Sequence, residues 1–309
     1  MKILLLGANG QLGRTFLRED GLSSRGTVVA ASRDGVLTEG GDGGIADLGA
    51  PQTVLDLLER ERPDVIINAA AYTAVDRAEQ DEAAATIVNG DTVGHLGTWA
   101  AAHRSLVVHY STDYVFAGDA STPYADQSTT SPAGAYGRSK LAGELALRAS
   151  GAAHFIFRTA WVYSPVGNNF LRTMLRLGAE RDELRVVADQ RGTPTDTTLI
   201  VDGTLAALDR WMASDSRHEL EGTYHLTASG ETTWHGFATA IFAGAVKRGI
   251  LARAPALEAI STAEFPTPAR RPAYSVLDNR RFIEVFGLDL PHWQAGVDRT
   301  LDALITPPD

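Results

Sequence analysis

The chain has 309 residues, 44% of them apolar and 21% charged, which is the composition of a folded globular protein and excludes long disorder or a fibrous repeat. Its 28 Lys and Arg against 38 Asp and Glu give a net charge of -10, so the overall field repels polyanions and argues against nucleic-acid binding, although a few local cations can still hold a small phosphorylated ligand. The absence of cysteine rules out disulfides, thiolate metal sites and a cysteine nucleophile, and it fits a reducing cytoplasm.

Taken in chain order, Lys2–Leu6 reads as a strand running straight into glycines, too short for the apolar part of a signal peptide. No stretch approaches the roughly 20 apolar residues of a membrane span. The short runs Thr27–Ala31, Val65–Asn68, Leu106–Tyr110 and His154–Arg158 read as further strands, rich in Val, Ile and Leu and buried on both faces. Between them Leu12–Glu19, Pro51–Arg60, Glu82–His103 and Ala135–Ala149 carry apolar residues at helical spacing. This alternation predicts an α/β fold with a Rossmann-type, doubly wound parallel sheet, whose ligands bind at the carboxyl ends of the strands. Gly40–Gly44 reads as a surface loop. Beyond Arg158 the loops lengthen, and helices are expected at Phe170–Arg181, Ile200–Met212 and Thr233–Arg248. The expected division is a dinucleotide-binding domain over 1–163, with a segment near 195–215 returning to it, and a smaller mixed substrate domain over 164–309. The eight histidines lack the spacing of a zinc site.

Three features carry chemistry. Gly7-Ala8-Asn9-Gly10-Gln11-Leu12-Gly13 directly follows the first strand, where glycines let backbone approach a pyrophosphate and a helix start presents free N–H groups. The second strand ends Ser32-Arg33-Asp34: Ser32 and Arg33 suit the 2′-phosphate of NADPH, whereas Asp34 is the kind of acid that favours NADH. Finally, Tyr136 and Lys140 lie one turn apart on one helix face, following a strand that ends Tyr110-Ser111-Thr112-Asp113. A lysine ammonium there would lower the tyrosine pKa and grip the nicotinamide ribose, while Thr112 would hold a substrate carbonyl.

Together these features match the extended short-chain dehydrogenase/reductases, and the runs RPDVIINAAAYTAVDRAE, VVHYSTDYVFAG, SPAGAYGRSKLAGE, FRTAWVYSPVGNNF and FPTPARRPAYS resemble the dTDP-4-dehydrorhamnose reductase family from Met1 to about Thr300. The resemblance implies reduction of the C4 ketone of dTDP-4-dehydro-L-rhamnose, with Thr112, Tyr136 and Lys140 as the catalytic set. It implies cofactor contacts by Gly7, Gly10, Gln11, Leu12, Gly13, Ser32, Arg33, Asp47, Leu48, Ala69, Ala70 and Ala71. Asp113 and Trp161 would meet the sugar, and Asn169 and Arg271 the diphosphate. Two alternatives stay open: a reductase of another dTDP-4-keto-deoxyhexose, and a non-catalytic cofactor-binding subunit on the same scaffold. Where dimeric members carry glutamates around a bridging Mg²⁺, this chain has Thr15, Thr198 and Gln294, so no bridging metal and a monomer are expected.

Overall fold

The apolar runs form strands because each is buried on both faces. In β1 (Lys2–Leu6) of the computed structural model, which describes residues 1–18, 21–38 and 40–306, Ile3 and Leu5 point into one core and Leu4 and Leu6 into another. After α1 (Gln11–Arg18) come β2 (Thr27–Ser32), the two-residue β3 (Gly44–Ile45), α2 (Pro51–Glu61) and β4 (Val65–Asn68). The chain continues through α3 (Val75–Ala78), α4 (Glu82–Thr86), α5 (Thr92–His103), β5 (Leu106–Thr112), α6 (Ala135–Ala149) and β6 (His154–Thr159). Its second half contains β7 (Val162–Tyr163), α7 (Phe170–Glu180), β8 (Glu183–Val187), β9 (Arg191–Gly192), β10 (Thr195–Asp196) and α8 (Thr197–Ala213). Then follow β11 (Gly222–His225), β12 (Thr232–Thr233), α9 (Trp234–Lys247), β13 (Ala256–Ile260), α10 (Arg280–Phe286) and α11 (Trp293–Ile305).

The central sheet has seven parallel strands in the order β11-β6-β5-β4-β1-β2-β3. The strand order reverses between β1 and β4, which opens a crevice at their carboxyl ends. One face packs on Phe16 of α1, Leu205 of α8 and Phe282 of α10, the other on Val54 and Leu57 of α2, Leu96 of α5 and Leu147 of α6. The short pairs β8/β13, β9/β12 and β7/β10 lie outside this sheet.

The structure departs from the expected elements where polar contacts override periodicity. The helix expected over Glu82–His103 is interrupted by a π-helical turn at Ile87–Asp91. There Asn89 accepts a hydrogen bond from Tyr72 N–H (2.9 Å) and donates to Tyr72 O (3.1 Å) and Ser139 Oγ (3.0 Å), tying α6 to the loop after β4. The helix expected from Ile200 starts at Thr197, because Asp196 caps it through Leu199 N–H. Thr233 likewise caps α9 and stands outside it, and α7 stops at Glu180. Gly44 is not loop: it begins β3, paired with Ala31. Glu19, expected to end the first helix, lies outside the described residues.

Candidate active site

The loop after β1 turns tightly because Gly7 adopts φ +80°, and the N–H groups of Gly7 and Ala8 both donate to Ala31 O (3.1 and 2.9 Å). A Cβ on Gly13 would lie 2.2 Å from Gly7 O, so this glycine lets α1 sit against its own loop. The N-terminus of α1 faces a cleft of about 710 Å³ along the carboxyl edge of the sheet. Gly7, Gly10, Gln11, Leu12, Ser32, Arg33, Asp47, Leu48, Ala69, Ala70, Ala71, Tyr136 and Lys140 all line it; Gly13 does not, being used up in packing. Side chains that sequence reasoning missed also line the cleft, among them Asn9, Thr73, Val88, Thr159 and Asn168. Asn9 left a signal in its place inside the glycine loop: its amide donates to Val36 O (2.8 Å) and its Oδ1 accepts from Thr38 N–H (2.8 Å), pinning the loop beyond β2.

Ser32 Oγ is engaged with Val36 O (3.0 Å) and Asp34 Oδ1 (3.1 Å). A hydrogen bond from Val36 N–H to Asp34 Oδ1 (3.2 Å), seconded by the one from Ser32, holds the Asp34 carboxyl below its usual range. Arg33 is 84% exposed and 3.8 Å from Asp47, a loose pair that leaves its guanidinium available to a ligand.

At the other end of the cleft α6 approaches the turn after β5 closely, since a Cβ on Gly137 would lie 2.2 Å from Tyr114 O. Tyr136 thereby meets Tyr114 edge-on (5.6 Å) beside Thr112. Thr112 Oγ donates to Asp113 Oδ1 (2.9 Å) and accepts from Tyr114 N–H (3.2 Å). Burial pushes the Asp113 carboxyl up to about 6, and its Oδ2 has no hydrogen-bond partner. The expected lowering of the Tyr136 pKa by Lys140 is not what the geometry gives. Burial, aided by the Asp113 carboxylate, pushes the phenol up, and Lys140 Nζ is turned instead to Tyr110 O (2.6 Å) and His109 Nε2 (3.3 Å).

The RmlD substrate binding domain profile matches residues 1–306. A dTDP-4-dehydrorhamnose reductase of Burkholderia thailandensis is 48% identical over 302 residues, spanning 96% of this chain and 97% of that one. The chain belongs to the dTDP-4-dehydrorhamnose reductase family. The crystal structure of a family member from Clostridium acetobutylicum superposes with a TM-score of 0.87 at 35% identity, covering 99% of this chain and 100% of that one. A Bacillus anthracis member crystallised in complex with NADP gives 0.84 at 31%, covering 98% and 99%.

The remaining positions singled out in this reductase-family chain have diverse fates. Trp161 adopts φ +48°, a strained conformation for a bulky residue, and stacks on Trp234 at 3.6 Å outside the cleft lining. Asn169 Oδ1 caps α7, and its amide donates to Gln11 Oε1 (2.8 Å), Ser164 O and Val166 O. Arg271 reaches Asp76 Oδ2 (2.6 Å) and Tyr114 Oη (3.2 Å), beside a second cavity of about 390 Å³ that Phe265 and Arg270 also line. Thr15 is buried against α8, hydrogen-bonded to Thr197 Oγ1 (2.7 Å), whereas Gln294 is exposed. Among the described residues no group of three or more His, Cys, Asp or Glu side chains could hold a metal ion, and no helix is long and apolar enough to cross a membrane.

Proposed function

We propose that the chain reduces the C4 ketone of dTDP-4-dehydro-L-rhamnose to dTDP-L-rhamnose in the cytoplasm, using NADPH and with Tyr136 as proton donor. The observation that carries this reading is the cleft itself: Tyr136, beside Thr112, and Lys140 line its inner end, and a glycine loop and a helix N-terminus line its outer end. The fit to a dinucleotide rests on the same cleft: Gly7, Gly10, Ala69, Ala70 and Ala71 line it without a large side chain, leaving room for a pyrophosphate against backbone. The bound nicotinamide supplies a hydride to C4. Thr112 Oγ orients the carbonyl, and Tyr136 Oη gives its proton to the oxygen as it becomes an alkoxide, a base stronger than phenolate. A phenol held protonated by burial suits that task. Lys140 is placed on the same helix face to hold the cofactor ribose and to return a proton to Tyr136.

Asp113, with one buried oxygen unpaired, suits a sugar hydroxyl. Trp161 would flank the sugar and Arg271 the diphosphate. Residues 1–163, joined by the segment near 195–215, act as the dinucleotide domain, and the rest of 164–309 as the substrate lobe. Product NMR after incubation with NADPH and dTDP-4-dehydro-L-rhamnose tests the assignment; faster turnover of a different dTDP-4-keto-deoxyhexose, or no turnover of either, would overturn it.

Arg33→Ala is expected to cut kcat/KM for NADPH by roughly 10–100-fold, the worth of a charge-assisted hydrogen bond to the 2′-phosphate, and to leave NADH nearly unchanged. Steady-state assays with both cofactors check this, and equal losses would show that Arg33 does not read the phosphate.

The chain acts as a monomer without a bridging metal, because Thr15, Thr198 and Gln294 offer no carboxylate to a hard cation. Light scattering should therefore give the same mass with EDTA and with Mg²⁺. A dimer that forms only with the metal would sink this expectation.

A further inference from the structure

Thr159, the last residue of β6, lines the cleft with a buried hydroxyl that has no hydrogen-bond partner in the protein. The residue is 8% exposed. A buried hydroxyl left unpaired costs stability, and a valine of the same shape would fill the place without that cost, so a threonine here points to a partner that the protein itself does not supply. The hydroxyls at the end of the adjacent strand are all engaged: Tyr110 Oη with Thr204 Oγ1 (2.8 Å), Ser111 Oγ with Glu144 Oε1 (2.5 Å) and Thr112 Oγ with Asp113 Oδ1 (2.9 Å). Thr159 is paired in register with Thr112, one strand over.

The surroundings indicate what that partner is. Side chains alternate along β6: Phe155 and Phe157 enter the core on the α8 side of the sheet and Ile156 enters the opposite core, so Thr159 falls on the α8 side. Val162 and Ile200 line the same cleft with apolar side chains, and Tyr136 and Lys140 enter it from α6, which packs on the other face of the sheet. A flat apolar ring carrying one amide suits such a lining, whereas a sugar with hydroxyls on several sides needs more polar partners. Thr112, Asp113, Trp161 and Arg271, the residues assigned to the sugar nucleotide, lie outside the lining of this cleft, and Thr159 shares it with the glycine loop. That loop follows β1, and β6 lies three strands further along the sheet, about 14 Å at ordinary strand spacing. In a dinucleotide with its pyrophosphate at the loop, the adenosine end runs the opposite way, to Ser32 and Arg33 at the end of β2, and the nicotinamide end runs toward β6.

We propose that Thr159 Oγ1 binds the carboxamide of the nicotinamide. The proposal rests on the reading of the cleft as a dinucleotide site. A hydroxyl suits either side of the amide, since it can donate to the oxygen or accept from the NH₂.

Thr159→Val removes the hydroxyl and keeps the shape of the side chain. Titrating the full chain with NADP⁺ and, separately, with 2′-phospho-ADP-ribose, which has every part of the cofactor except the nicotinamide, reads both affinities without substrate. The variant should bind NADP⁺ roughly three- to tenfold more weakly, the worth of one hydrogen bond, and should bind 2′-phospho-ADP-ribose as the wild type does. Thr159→Ser should recover most of the NADP⁺ affinity. Because the hydroxyl is unpaired in the free protein, ligand-free Thr159→Val should melt no lower than the wild type, which separates a ligand contact from a structural one. Equal weakening of both nucleotides, unchanged NADP⁺ binding, or a clearly lower melting temperature of the free variant overturns the proposal. Weaker binding of dTDP-L-rhamnose with NADP⁺ binding unchanged would also overturn it, by placing Thr159 at the sugar. A wild type that bound neither nucleotide would refute the dinucleotide reading itself, a result distinct from the failure of Thr159 alone.

Discussion

Tyr136→Phe is expected to lower kcat by roughly 10²–10⁴, the usual worth of a positioned general acid, while cofactor affinity changes little. The ring would keep its edge-on contact with Tyr114 and its place on α6, so the loss would isolate the hydroxyl. Because hydride transfer without a proton leaves an alkoxide, the defect should fall on kcat and kcat/KM alike and spare the KM for the sugar nucleotide. Turnover measured beside fluorescence titration of NADPH checks both parts. Near-wild-type turnover would remove Tyr136 from the chemistry.

The largest stability effect is expected at Glu144. Arg158 and Glu144, 2% and 0% exposed, form a two-pronged pair between β6 and α6 at 2.9 and 2.6 Å. Ser111 Oγ donates to the carboxylate, Arg158 donates to Asp126 O (3.1 Å), and the guanidinium lies 5.0 Å from the Phe116 ring centre. Glu144→Gln leaves the arginine charge buried without its counter-charge, at a cost of about 3–5 kcal/mol, enough to lower Tm by roughly 5–8 °C in a chain of this size. Replacing both residues by leucine removes the stranded charge, so the double variant should melt above either single leucine variant. Thermal and urea melts decide this. Additive losses would mean that the pair is not coupled.

Arg158 also shows where reading the sequence stops. His154–Arg158 is recognisable as a strand from Phe155, Ile156 and Phe157, but the strand says nothing of what would pair with an arginine at its end. It is buried because α6 brings Glu144 to meet it. Asn169 follows the same rule: in the run GNNF it has the look of a ligand residue, and the fold engages its side chain with Gln11, with the loop at Ser164 and Val166, and with the start of α7. Asn89-Gly90 inside an apolar-periodic stretch was the visible sign of the π-turn, yet its purpose needed Tyr72 and Ser139 in place.

What the sequence determined by itself are properties written in local spacing. Apolar runs too short for helices specified five of the seven central strands, glycines at Gly7 and Gly13 specified the turn into α1, and a four-residue interval put Tyr136 and Lys140 on one face of a helix. Burial of apolar surface depends on periodicity along the chain, so these features are readable without the fold. β11 is four residues long and joins the sheet at its edge only because α8 carries the chain back across it, and neither step has a local signature. The bonds made by Lys140, the pairing of Arg271 with Asp76 and Tyr114, and the stacking of Trp161 on Trp234 were likewise decided by tertiary structure alone. A polar group takes its partner, and with it its proton, from whatever the packed chain brings within about 3 Å, and residues 30 to 200 positions away are invisible to any local pattern.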